Sequence, residues 1–127
     1  MNPSQLVFVA MGGAIGAIGR YLAMSAVGAV FGHGFPYSTL FVNVVGSFVL
    51  GAFIEGSAIA WSPSAPVRSL VVIGMLGAFT TFSTFSLDTV TLLTRGETAP
   101  AVMYIVASVV VSVAALWAGM SLMRAVL

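Results

Sequence analysis

The sequence predicts an all-α integral membrane protein with four transmembrane helices. Three observations carry that prediction: composition, the spacing of the apolar runs, and the punctuation between them. Of 127 residues, 60% are hydrophobic and 6% are charged, with a mean hydropathy of +1.15. A soluble domain carries roughly a quarter charged residues, so this chain has too few to face water all round. Crossing a bilayer takes about 20 predominantly apolar residues per helix, and the chain offers four such runs. They extend from Leu6 to Phe31, Tyr37 to Trp61, Val67 to Leu93 and Ala101 to Val126. The connectors GHGFPY, WSPSAPVR and TRGETAP are short and hold the Pro and Gly residues that stop a helical pattern. Residues 1–127 therefore read as a single four-helix transmembrane domain. The opening MNPSQ lacks a basic stretch before its apolar run, so the first span is expected to be retained.

Several function classes drop out early. Net charge is +1, with four arginines and no lysine, which gives no basic footprint for nucleic acid. Cysteine is absent, so disulfides and thiolate metal sites are excluded. No nucleophile–base pair, metal cluster or phosphate loop points to an enzyme.

The first span holds one charged residue, Arg20, past its middle; its alternatives are drawing an anion into a vestibule or snorkelling to headgroups. Arg68 and Arg124 fall on one side of a four-span topology. Arg95 falls on the other, joined by Arg20 if the first helix reaches that interface. The positive-inside rule then gives no preferred orientation. Two opposed copies forming an antiparallel homodimer are expected, against the alternative of one fixed orientation. Small residues at Gly12 and Gly16, Gly28 and Gly32, and Ala115 and Gly119 allow close helix contact.

On the second span, Thr39, Asn43 and Ser47 stand at i, i+4 and i+8, on one face. On the fourth, Tyr104, Ser108 and Ser112 repeat that spacing. Such hydroxyls either bond to carbonyls of their own helix or line a wet track. Glu55 and Arg68 read as solvated interfacial charges and His33 as a solvated connector residue.

The third span contains GMLGAFTTFSTFSLDT over residues 74–89. Gly74 and Gly77 loosen the helix, and the β-branched Thr80 and Thr81 follow. An interruption near residues 77–81 is expected, with a kinked but intact helix as the alternative. Free carbonyls at such a break could hold a cation, and a new helix N-terminus favours an anion. Phe79, Phe82 and Phe85 are interleaved with Ser83, Thr84 and Ser86. Ring edges are electropositive, so ring edges and hydroxyls together can replace part of a hydration shell without a trapping full charge. The bland alternative is an aromatic packing stripe.

GMLGAFTTFSTFS, with FVNVVGSF around Asn43 and GGAIGAIGRY around Arg20, resembles the Fluc (CrcB) family of fluoride channels over the whole chain. That resemblance implies a dual-topology antiparallel homodimer in the bacterial inner membrane, exporting fluoride passively through two pores. It assigns Asn43, Phe82 and Phe85 to the pore, with Ser83, Thr84, Tyr104, Ser108 and Ser112 as its polar track. It assigns Arg20 to the vestibule, and the backbone carbonyls of Gly77 and Thr80 to a central structural sodium ion. Partners implied are fluoride, a second copy and lipid. The family's usual FSTFS-x-Glu ends here in Asp88, which puts in doubt any gating or shuttling role for that carboxylate. The alternatives from other classes are a proton-coupled multidrug antiporter of four helices and a structural subunit. The antiporter would need a carboxylate central in the first helix, and this one has none.

Overall fold

The structure, a computed structural model, describes residues 2–127 and is helical, with no strand among those residues. Four helical spans are long and apolar enough to cross a membrane: Pro3–Phe31, Tyr37–Ala60, Ala65–Thr94 and Thr98–Val126. The first and last begin three residues earlier than the apolar runs suggest. At the first, the Asn2 side chain accepts from the Ser4 N–H at 3.0 Å and Pro3 opens the helix. A capping Asn and an early Pro belong to a helix start although neither is apolar.

Helix α1 (Pro3–Phe31) ends at Gly32, whose φ of 78° lies where glycine is favoured and whose N–H reaches the Gly28 carbonyl at 2.8 Å. Gly32 is thus a stop signal, whereas Gly28 lies under the His33 ring. Helix α2 (Tyr37–Ala60) follows Pro36. The third span is composite. A short α3 (Ala65–Arg68) runs into a π-helical stretch, Ser69–Leu76, and then one turn of α4 (Gly77–Phe79). Thr80 and Thr81 are extended, with φ/ψ of −86°/159° and −152°/124°. Helix α5 (Phe82–Thr94) resumes from there, and α6 (Thr98–Val126) completes the bundle.

The widened π turn lies against α1. The Met75 carbonyl sits where a side chain on Gly16 would begin, so only glycine lets the two backbones approach this closely. Likewise α6 meets α2 where Gly119 faces the Phe48 carbonyl. Leu92, Ala101 and Tyr104 form a buried cluster, flanked by Phe35, Leu40 and Phe85. It ties α5 to α6 beside the extended residues. The outer faces of the bundle are apolar, as with Val106, Val110, Val113 and Trp117 on α6.

Candidate functional site

Helical bonding at the extended pair is replaced by side chains. Asn43 on α2 accepts from the Thr81 N–H through Oδ1 at 2.7 Å and donates through Nδ2 to the Thr81 carbonyl at 3.0 Å. One side-chain amide thereby satisfies both backbone groups of one residue, as a neighbouring peptide unit would. Thr81 Oγ1 then caps α5 by accepting from the Thr84 N–H at 3.2 Å.

These substitutions have two consequences. A helix start leaves its first N–H groups without intrahelical acceptors. Asn43 takes that of Thr81, Thr81 Oγ1 takes that of Thr84, and those of Phe82 and Ser83 remain. On the acceptor side, the carbonyls of Gly77 and Thr80 lose their usual i+4 donors. The N–H groups that would bond them are those of Thr81 and Thr84, both engaged elsewhere.

Two cavities flank this point. The inner one, about 400 Å³, is lined by Asn43, Ser47, Gly77, Thr80, Thr81, Phe82, Phe85, Ser108 and Ser112, among apolar neighbours. The Oγ atoms of Ser108 and Ser112 are buried and have no hydrogen-bond partner. The outer cavity, about 700 Å³, is lined by Arg20, His33, Thr39, Thr84, Asp88 and Arg95, with Tyr21 and Phe35. The second-helix stripe thus crosses both cavities: Thr39 faces the outer one, Asn43 and Ser47 the inner one.

Tyr104 stands between them, 0% exposed. Its hydroxyl donates to Asp88 Oδ2 at 2.9 Å. Its ring meets Phe85 at 5.2 Å and Phe35 edge-on at 5.6 Å between centroids. Asp88, one methylene shorter than a glutamate, is therefore held by a buried phenol at the outer cavity wall. Phe82 lies 5.5 Å from Phe85 and is 78% exposed.

Of the residues singled out in the sequence, Asn43, Phe82, Phe85, Ser108, Ser112, Gly77 and Thr80 share the inner cavity. Arg20 and Thr84 line the outer one. Ser83 lines neither; it is exposed, with Oγ 3.4 Å from Thr81 Oγ1. Arg20 and Arg95 share the outer cavity, which puts both arginines towards one end of the bundle. At the opposite end Glu55 is not a lone solvated charge: its Oε2 meets the Arg124 guanidinium at 3.2 Å. Thr81 joins the site through its backbone and its hydroxyl alike. The signal for it was its place in a pair of β-branched residues at the expected interruption.

The family described as "CrcB-like protein, Camphor Resistance (CrcB)" matches residues 7–120. The chain is 46% identical over 126 residues to a protein of Nitrobacter winogradskyi named fluoride-specific ion channel FluC, covering 99% of this chain and 100% of that one. A Chelativorans protein of the same name is 48% identical over 123 residues, covering 97% and 98%. One from Rhodospirillum centenum is 42% identical over 120 residues, covering 94% and 95%. With a match along nearly its full length on both counts, this chain belongs to the CrcB family.

Proposed function

We propose that this protein is a fluoride-selective passive channel, on the strength of one observation above all. Buried hydroxyls that make no hydrogen bond among the described residues line the same cavity as Phe82, the first residue of α5. An idle buried donor in a membrane protein is costly unless water or an ion meets it. Taking a small ion out of water into a low-dielectric interior costs on the order of 20 kcal/mol in the idealised limit. Neutral donors in series offset that cost without the full charge that would hold the ion in place. Arg20 at the outer cavity raises the local anion concentration, with Arg95 beside it paired to Glu97, while no ionisable side chain lines the inner cavity among the described residues. The names of the relatives point to the same ion. The antiporter alternative has no such support, since α1 carries no carboxylate.

The finer reading is a third membrane helix broken at Thr80 and Thr81 and an antiparallel homodimer. Two features support the dimer: the exposure of Phe82, and arginines divided two and two between the ends of the bundle. A second, inverted copy would close the open side of the inner cavity, giving two pathways. The carbonyls of Gly77 and Thr80 fit a sodium ion shared by the copies. They lack helical donors, no cluster of His, Cys, Asp or Glu among the described residues offers an alternative, and hard cations take oxygen ligands. Bound there, the cation would supply positive charge that steadies the break. Ser83, outside both cavities in one chain, would meet the pathway only at the interface between copies. In a bacterial inner membrane the negative interior potential would drive fluoride outwards.

Purified protein in liposomes tests this directly. A passive conductance that empties fluoride and retains chloride is the expected outcome. Equal release of both ions, or dye uptake driven by a proton gradient, would sink the reading.

A further inference from the structure

We infer that Thr81 is a positioning residue for the conducted anion, acting through the hydroxyl of Thr84. A threonine hydroxyl has one proton to give and two lone pairs to receive with. One lone pair of Thr81 Oγ1 takes the Thr84 N–H at 3.2 Å. Its proton goes to Thr84 Oγ1 at 3.1 Å. Ser83 Oγ stands 3.4 Å away, within reach of what remains. Its backbone is held in place, because Asn43 bonds both its N–H and its carbonyl.

This arrangement sets the polarity of Thr84. Its oxygen is already an acceptor, so its own proton must be given elsewhere, and it donates to no acceptor among the described residues. Thr84 lines the outer cavity, whereas Thr81 lines the inner one. The pair therefore bridges the two spaces, with the proton of Thr84 available to an anion. Elsewhere on α5 the hydroxyls are spent differently: Ser86 and Thr89 donate to the carbonyls of Phe82 and Phe85. Were Thr84 to do likewise, it would bond the Thr80 carbonyl. That would remove a donor from the pathway and an acceptor from the candidate sodium site. The Thr81 hydroxyl keeps Thr84 in the other rotamer.

The inference rests on the fluoride-channel reading, and the test separates the two. Fluoride efflux from liposomes and thermal unfolding are measured for the wild type, Thr81→Ser, Thr81→Ala, Thr81→Gly, Thr84→Val and the double variant Thr81→Gly/Thr84→Val. Glycine is tolerated at a helix N-cap far better than alanine, so Thr81→Gly removes the hydroxyl with little damage to the helix start. Both Thr81→Ala and Thr81→Gly should slow efflux about tenfold, the scale of one lost donor to a charge. Thr81→Gly should unfold close to the wild-type temperature and Thr81→Ala below it. Thr81→Ser should restore efflux to within about twofold, since it keeps both lone pairs and proton. The double variant should be no slower than Thr84→Val alone. Efflux that follows the unfolding temperature, or effects that multiply in the double variant, would return Thr81 to a purely structural role. A wild type that passes no fluoride would instead remove the channel reading and this inference with it.

Discussion

On α5, the hydroxyls of Ser86, Thr89 and Thr91 donate to the carbonyls of Phe82, Phe85 and Leu87 at 3.1, 2.9 and 2.8 Å. On α6, Ser108 and Ser112 have the same option, the carbonyls of Tyr104 and Ser108, and do not use it; both oxygens are buried without a partner. Both sets are β-hydroxyl residues inside a membrane-spanning helix, each within reach of the carbonyl four residues earlier. For Ser86 and Thr89 the difference is the space in front of them: they line neither cavity, whereas the α6 pair lines the inner one, and Thr91 lines the outer cavity while bonded to its own helix. A serine in a membrane helix can always be satisfied by its own backbone. One that is not satisfied marks a place where another donor or acceptor is due, and that separates a pathway from a packing stripe.

The largest effect is expected where the pathway is anchored. Asn43→Leu removes the only side chain among the described residues that bonds the Thr81 N–H and carbonyl. Two buried backbone groups would then be orphaned, at a cost of about 3 kcal/mol in unfolding free energy, and fluoride efflux should be lost. Denaturation in detergent, followed by efflux from liposomes, reads both. A variant as stable as the wild type would mean that the extended pair is held by something other than Asn43.

Phe82→Ile comes next. It keeps bulk and discards the electropositive edge. Because the ring is 78% exposed in one chain, the fold of the chain should not depend on it. Efflux should fall about tenfold or more, with unfolding little changed. Unaltered efflux would place Phe82 among the packing residues. Ser108→Ala sharpens the contrast from the other side: efflux should drop about tenfold, the weight of one hydrogen bond to a charge. Unlike Asn43→Leu, it should leave stability unchanged or slightly raised, since an unsatisfied buried hydroxyl disappears. A clear loss of stability would show that the hydroxyl had a protein partner after all.

How much of this was legible beforehand follows from the range of each interaction. The four spans were readable because apolar length and glycine–proline punctuation are local properties. The first and last came out three residues short, at Pro3, where a capping Asn and an early proline open the helix, and at Thr98. Gly74 and Gly77 signalled a loosened third span. The widened turn over Ser69–Leu76 could not be read, because it fits glycines of α1 some sixty residues earlier. Asn43 was visible as one member of a polar stripe, but its partner Thr81 lies 38 residues away. Glu55 looked solvated because Arg124 lies 69 residues away. Thr81 was visible as a crowded residue and invisible as a cap, since capping depends on the extended backbone at that residue.

The smallest expected effect is the one that holds the comparison together. Ser86→Ala and Thr89→Val each remove a hydroxyl that its own helix already uses. Side-chain hydrogen bonds within membranes average about 0.6 kcal/mol, and the carbonyl left behind keeps its helical N–H donor, so stability should shift by less than about 1 kcal/mol. Efflux should stay within about twofold of the wild type, because neither hydroxyl faces a cavity and neither proton is on offer to an ion. The measurement carries weight because Ser86 is as much a part of the serine–phenylalanine run as Ser83 and Thr84. If Ser86→Ala slowed fluoride as much as Ser108→Ala, hydroxyl satisfaction would not distinguish the pathway, and the whole run would have to be treated as one conducting surface. If efflux is indifferent to Ser86 and Thr89 while sensitive to Ser108, the ion follows the unsatisfied donors, and composition alone does not make a hydroxyl part of the route.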